Sequence, residues 1–214
     1  MNDQAEDWAR PSRRVIHRGH IVTFEEHQLV TPSGEVVTRE FISHPGSVAV
    51  IALDAGNRIA VVHQYRAPIA MRLVEPPAGL LDQPGEAPLV AAQRELAEEA
   101  GLAADDWRVL VDYCPSPGIS NEVARIYLAR DLHQAPRPDG FAAHGEEVDM
   151  GLTWLPLADA LAMVRAGEAH NGALVLGVTT LALALADGTV THLAQGDAPW
   201  ALLQRVQDLK ARDG

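Results

Sequence analysis

The sequence predicts an α/β protein in which helices sandwich a mixed β-sheet, with a small N-terminal β-hairpin subdomain ahead of it. Two nearly continuous apolar runs, "SVAVIAL" from Ser47 and "RIAVVHQY" from Arg58, have the pattern of strands covered on both faces. Four helical stretches downstream supply that cover. Upstream, from Val15 to Ile42, β-branched residues flank the punctuation "TPSGE", which marks a strand, a turn and a second strand.

In chain order, residues 1–14 read as a polar, disordered tail, 15–44 as the β subdomain, 45–196 as the main domain and 197–214 as a C-terminal helix. The two apolar runs, joined by the turn "DAGN", form a second hairpin. Helices follow at Pro88 to Ala100, at Leu157 to Ala166 with Gly167 as its stop, after the N-cap Asn171, and around "WALLQRVQDLK". "WRVLVDY" and "VARIYLAR" add strands between the first two helices. The stretch Asp131 to Glu147 has two prolines, two glycines and no periodicity. Loops of that length in a compact domain are often lids or binding loops, and this one ends on Glu146 and Glu147.

Composition narrows the function classes. With 214 residues and 47% hydrophobic content the chain makes one domain with a small appendage and a sizeable core. A formal net charge of -12 argues against a nucleic-acid or anionic-membrane partner, both of which require clustered Lys and Arg. An anionic substrate therefore needs a metal ion or a few placed arginines. The single cysteine, Cys114, forms no intramolecular disulfide, and "MNDQAEDWARPSRR" lacks the apolar core of a signal peptide. The apolar run from Ala173 to Ala186 is shorter than the roughly 20 residues of a membrane span. The expectation is a soluble cytoplasmic protein. No Walker loop or dinucleotide-binding glycine run is present, and His17 and His20 have no zinc-spaced partners.

The chemistry is concentrated in "EPPAGLLDQPGEAPLVAAQRELAEEAGL", residues 75–102. Leu89, Ala92, Leu96 and Ala100 fall within about 80° of one another on the helix and form its core face. Glu95 and Glu99 project from one flank with Cβ atoms about 5–6 Å apart, a like-charge spacing that costs a few tenths of a kcal/mol. A divalent cation is the simplest compensation, and carboxylates without His or Cys favour Mg²⁺ or Mn²⁺. Glu98 is either a further ligand or a solvated residue. On composition alone "RELAEE" is an ordinary exposed face. The preceding Pro76, Pro77, Ala78 and Gly79 stiffen the backbone so that a carbonyl can face the helix.

This stretch resembles the signature of the Nudix hydrolases: a glycine, a glutamate, then seven residues and Arg-Glu-aliphatic-x-Glu-Glu-x-Gly-aliphatic. The matching positions are Gly79, Glu86, Arg94, Glu95, Leu96, Glu98, Glu99, Gly101 and Leu102. Six residues rather than five separate Gly79 from Glu86, a departure confined to the loop before the helix. The resemblance implies a Nudix-type α/β/α sandwich, with Glu95, Glu99, Glu98 and the Ala78 carbonyl as metal ligands and Arg94 orienting the glutamates with Glu86 as its ion-pair partner. It implies hydrolysis of a nucleoside diphosphate linked to another group, with Mg²⁺ neutralising the diphosphate and activating water.

Outside this stretch, "SPG" at Ser116 to Gly118 and "EPPAGLLD" resemble the ADP-ribose pyrophosphatase branch. That resemblance implies ADP-ribose as substrate, Glu147 or Glu146 as the base that helps activate water, and Glu75, Pro117 and Gly118 as substrate contacts; Arg66, a guanidinium at the mouth of a buried strand, is expected on the substrate phosphates through charge-assisted bonds. It also implies a homodimer through the N-terminal strands, whose exposed edges a partner would cover. Another ADP-sugar, GDP-mannose or an oxidised nucleotide remains open as substrate, as does a non-catalytic ADP-ribose-sensing module.

Overall fold

The computed structural model describes residues 2–136 and 150–213, which form two compact units. One comprises Met1–Gly46, Cys114–Val123 and Ala201–Gly214; the other comprises Ser47–Tyr113 and Ala124–Trp200.

The first unit begins with an antiparallel sheet of β1 (Ala9–Arg18), β2 (Thr23–Val30) and β3 (Val36–Ser43), in that order. Three strands stand where the sequence predicts two, and β1 begins inside the stretch expected to be a disordered tail. Beyond its backbone ladder to β2, its side chains pair by charge, which apolar periodicity does not register. Arg13 donates to both oxygens of Glu25 at 3.0 and 2.8 Å, and Arg14 to both oxygens of Glu26 at 3.0 Å each. Opposite charges placed across two strands contribute where the outward face has no core to join.

The second unit carries two sheets. β4 (Ser47–Ala52), β7 (Ala78–Leu80), β8 (Leu102–Tyr113) and β9 (Ala124–Gln134) run in the order β7-β4-β9-β8, with β4 parallel to β9 and the other pairs antiparallel, so this is the mixed sheet. β5 (Arg58–Arg66), β6 (Met71–Glu75) and β10 (Gly151–Pro156) form an antiparallel sheet in the order β10-β5-β6. The expected hairpin of β4 and β5 is thereby corrected. The turn is present, with Asn57 N–H on Asp54 O at 3.1 Å, but a single bridge, Leu53 with Ile59, joins the strands before they part into separate sheets. Each is buried on both faces and takes its neighbours from elsewhere in the chain.

Three helices cover these sheets: α1 (Pro88–Ala100), α2 (Leu157–Ala166) and α3 (Gly172–Ala186). One core joins Ala49, Ile51 and Leu53 of β4, Ile126 and Leu128 of β9, and Ile59 and Val61 of β5 to Leu157 of α2 and Leu174, Val178 and Leu181 of α3. A Cβ at Gly177 would stand 2.7 Å from Ile51, so the glycine lets α3 lie close on the sheet. Alternation sends Val48 and Val50 to the opposite face, which α1 covers with Ala92 and Leu96. This Nudix-like α/β/α layering holds α1 next to β7, so the charged helix and the Pro-Pro-Ala-Gly turn are neighbours by construction. The chain ends in α4 (Ala201–Asp213), part of the first unit. No helix among the described residues is long and apolar enough to cross a membrane.

Candidate active site

Arg94 organises the carboxylates of α1. Its Nε and Nη2 donate to the two oxygens of Glu86 at 2.9 and 3.0 Å, while Nη1 donates to Glu95 at 2.7 Å and to Glu98 at 3.1 Å. One positive charge is set against three negative ones. The Glu86 hydrogen bonds, followed by the Glu95 charge, push the guanidinium further above its ordinary value despite the opposing effect of burial. Glu95 and Glu98 keep only 13% and 19% of their side-chain surface, which rules out a fully solvated face. Part of the compensation assigned to a cation from sequence is therefore supplied by the protein itself.

The turn before α1 explains the glycine. A Cβ at Gly79 would lie 2.0 Å from Oε1 of Glu95 and 2.1 Å from its carboxyl carbon, so only glycine leaves room for that carboxylate. The neighbouring Ala78 donates its N–H to Glu99 at 3.0 Å. Sequence reasoning anticipated the Ala78 carbonyl and missed this amide; "PPAG" announces a stiff turn but not which of its groups faces the helix. The extra loop residue is absorbed by a turn of Gln83, Pro84, Gly85 and Glu86, closed by Glu86 N–H on Gln83 O at 3.1 Å with Gly85 at φ +80°. Glu86 thus still reaches Arg94. At the far end Gly101, at φ +63°, caps α1 with its N–H on Leu96 O and Ala97 O and turns the chain into β8.

The remaining candidates fall into separate places. Arg66 and Glu75, paired strands apart on β5 and β6, form a bidentate salt bridge at 2.8 and 2.6 Å; Glu75 is 1% exposed. Arg66 retains 42% of its side-chain surface, so of the two it is the one a ligand can reach. Pro117 and Gly118 lie in the first unit, in a turn closed by Ile119 and Ser120 N–H on Ser116 O, and line a concavity of about 410 Å³ with Arg39, Phe41 and Asn121. Neither Arg39 nor Phe41 belongs to a motif, and only the sheet register brings them there. Glu146 and Glu147 lie outside the described residues.

A carboxylate helix clamped by an arginine beside a glycine turn, on an α/β/α core, is matched by comparison with known proteins: residues 43–174 match the NUDIX domain family. The chain belongs to the Nudix hydrolase family. ADP-ribose pyrophosphatase of Mycobacterium tuberculosis (strain ATCC 25618 / H37Rv) is 44% identical over 172 residues, covering 80% of this chain and 82% of its own length. A methanol dehydrogenase activator of Bacillus methanolicus is 34% identical over 168 residues, 78% of this chain and 89% of that protein. A crystal structure of an ADP compounds hydrolase superposes with a TM-score of 0.71 at 20% identity, covering 88% of this chain and all of its own, a likeness of fold. This Nudix chain falls in the ADP-ribose pyrophosphatase branch and is a hydrolase of nucleoside-diphosphate-linked compounds.

Nudix hydrolases are typically Mg²⁺-dependent. The donor chemistry here fits such an ion: Glu95, Glu98 and Glu99 offer carboxylate oxygens with no imidazole or thiolate among them, the preference of a hard cation. Among the described residues, however, no three acidic, His or Cys side chains are gathered tightly enough to hold a metal. Glu98 is held by Arg94 and Glu99 by the Ala78 amide.

Proposed function

We propose that this Nudix hydrolase acts on ADP-ribose, giving AMP and ribose 5-phosphate, with Mg²⁺ or Mn²⁺ as cofactor. The observation that carries the proposal is the Arg94 cluster: three carboxylates on one guanidinium, with a fourth, Glu99, on the adjacent amide. The excess negative charge is what a cation-assisted diphosphate site requires, and the 44% identity to an ADP-ribose pyrophosphatase supports the substrate.

Glu95, Glu99 and Glu98, with the Ala78 carbonyl, would hold the ion. When bound it supplies neutralisation of the diphosphate and an acidified water. Arg94 fixes the rotamers of Glu95 and Glu98, and Gly79 leaves the space that Glu95 occupies. Arg66 is assigned to the substrate phosphates by charge-assisted hydrogen bonds, and Glu75, with both oxygens on Arg66, aims it. Pro117 and Gly118 shape a further substrate contact. Glu147 or Glu146 takes the proton of the attacking water, whose oxygen bonds to one phosphorus while the bridging oxygen leaves with the other phosphate. A homodimer is proposed through the three-stranded sheet, where β1 is an edge strand and Ile16 and Ile21 are exposed.

Purified protein with Mg²⁺, offered ADP-ribose, ADP-sugars, GDP-mannose and oxidised nucleotides side by side, should release AMP fastest from ADP-ribose. A ranking that places ADP-ribose well below another substrate overturns the assignment while leaving the hydrolase class intact. Light scattering should give twice the chain mass; a monomer refutes the dimer.

A further inference from the structure

The turn at residues 116–120 stands out from the first unit. Ser116, Pro117, Gly118 and Ile119 are all exposed, and the bonds that close the turn, Ile119 and Ser120 N–H on Ser116 O, lie within it. Its place is fixed from the end of β3. Ile42 N–H donates to Ile119 O at 2.8 Å, Asn121 N–H donates back to Ile42 O at 3.1 Å, and Ser120 pairs with Ile42 in a parallel bridge. Bonds centred on one residue fix a point but not a direction. A side chain adds the second point: Asn121 Oδ1 accepts the N–H of His44, just beyond β3, at 2.8 Å. An amide N–H can only donate, so the oxygen of Asn121 must face it, which sets the orientation of the whole carboxamide. His44 is itself held, because its carbonyl accepts from Lys210 of α4 at 2.5 Å.

We infer that Asn121 is a positioning residue for substrate: its carboxamide, on the His44 N–H, holds the 116–120 turn where Pro117 and Gly118 face the same ligand as Arg39 and Phe41. The inference rests on the reading of Pro117 and Gly118 as substrate contacts. Both belong to the turn, whereas Arg39 and Phe41 belong to β3, so the width of the concavity of about 410 Å³ depends on how the turn lies against the strand. Gly118 leaves room there without serving the backbone. Its φ is not in the left-handed region, and a Cβ built on it would meet nothing within 4 Å among the described residues. Loss of the Asn121 carboxamide lets the turn pivot about Ile42. Order that the folded protein supplied in advance must then be supplied on binding, which weakens binding and leaves the chemical step alone.

The test is steady-state kinetics with Mg²⁺, using whichever of ADP-ribose, an ADP-sugar, GDP-mannose or an oxidised nucleotide the wild type hydrolyses fastest, so the readout survives a wrong substrate assignment. Gly118→Leu fills the concavity and should raise KM at least about tenfold with Tm unchanged. Asn121→Ala should raise KM about fivefold, the loss of one hydrogen bond, with kcat within a factor of two. A side chain that only stabilised the fold would give the reverse: kcat per mole of chain falls with the folded fraction and KM stays put. Asn121→Ser, whose hydroxyl is too short to reach the His44 N–H, decides the matter if circular dichroism shows Asn121→Ala to be unfolded. A raised KM in Gly118→Leu with a wild-type KM in the Asn121 variants overturns the inference alone. Wild-type KM in all of them overturns the substrate contact as well.

Discussion

Two arginines of the second unit, Arg94 and Arg125, make the same kind of bond to opposite ends. Arg94 faces three carboxylates on and before α1. Arg125, on β9 and 3% exposed, faces one: it binds Asp112 bidentately at 2.7 and 2.8 Å, donates to the Ala198 and Pro199 carbonyls, and stacks 4.8 Å above the Trp200 ring. Charge is balanced at Arg125 and left negative at Arg94. A guanidinium surrounded by one carboxylate, carbonyls and an aromatic face is a fastening, here for the segment that leads towards α4. A guanidinium outnumbered by carboxylates positions a site that still calls for positive charge.

The largest effect should come from removing one negative charge from the α1 carboxylates. Glu99→Gln retains the acceptor for the Ala78 amide but lowers the site's charge, so turnover should fall about 10³-fold, roughly 4 kcal/mol of barrier, with melting unchanged. A rate within a few-fold of wild type would erase the contrast. At the other arginine the outcome should invert. Arg125→Met leaves Asp112 and two carbonyls without their donor and should cost about 2–3 kcal/mol of stability, below the usual figure for a broken buried pair because Asp112 retains 29% of its surface. Its kcat in the folded fraction should match wild type; a lost kcat with unchanged stability would make Arg125 part of the site.

Gly79→Ala sharpens the comparison on a smaller scale. The new Cβ must displace Glu95, a flexible side chain, so kcat should fall about tenfold, ~1.4 kcal/mol, with little change in Tm. The smallest effect concerns a third arginine. Hydrogen bonds from Arg13 hold the Glu25 carboxyl below its ordinary value of 4.5, against the opposing effect of burial. Stability from that pair is complete above the ordinary value and lost as pH falls through the lower, folded one. Glu25→Gln should therefore flatten the decline of Tm in acid, and an unaltered acid limb would show that the pair contributes nothing.

Local pattern reached a good part of this molecule. The bounds of α1 and α2, and Asn171 as the N-cap of α3, with its side chain on Leu174 N–H at 2.9 Å, follow from Pro, Gly and Asn at fixed offsets from an apolar stripe. The spacing of Arg94, Glu95, Glu98 and Glu99 is likewise local, since four residues make about one helical turn. Strand partners are another matter. β4 and β5 look alike in sequence, both apolar throughout, and nothing in their own residues says that one joins β9 in parallel while the other joins β10 and β6. β1 was hidden for the converse reason: its partners are charges twelve residues away rather than an apolar face of its own.

By itself the sequence determined that a carboxylate-rich helix follows a proline-stiffened glycine turn, because both depend on neighbours along the chain. Tertiary structure alone decided the partners that no motif announces: Glu99 on the Ala78 amide, Glu75 beneath Arg66, and Lys210 facing β1 and β2. Partners of that kind lie far apart in sequence, and a side chain's hydrogen bond is set by distances that only packing of the core establishes.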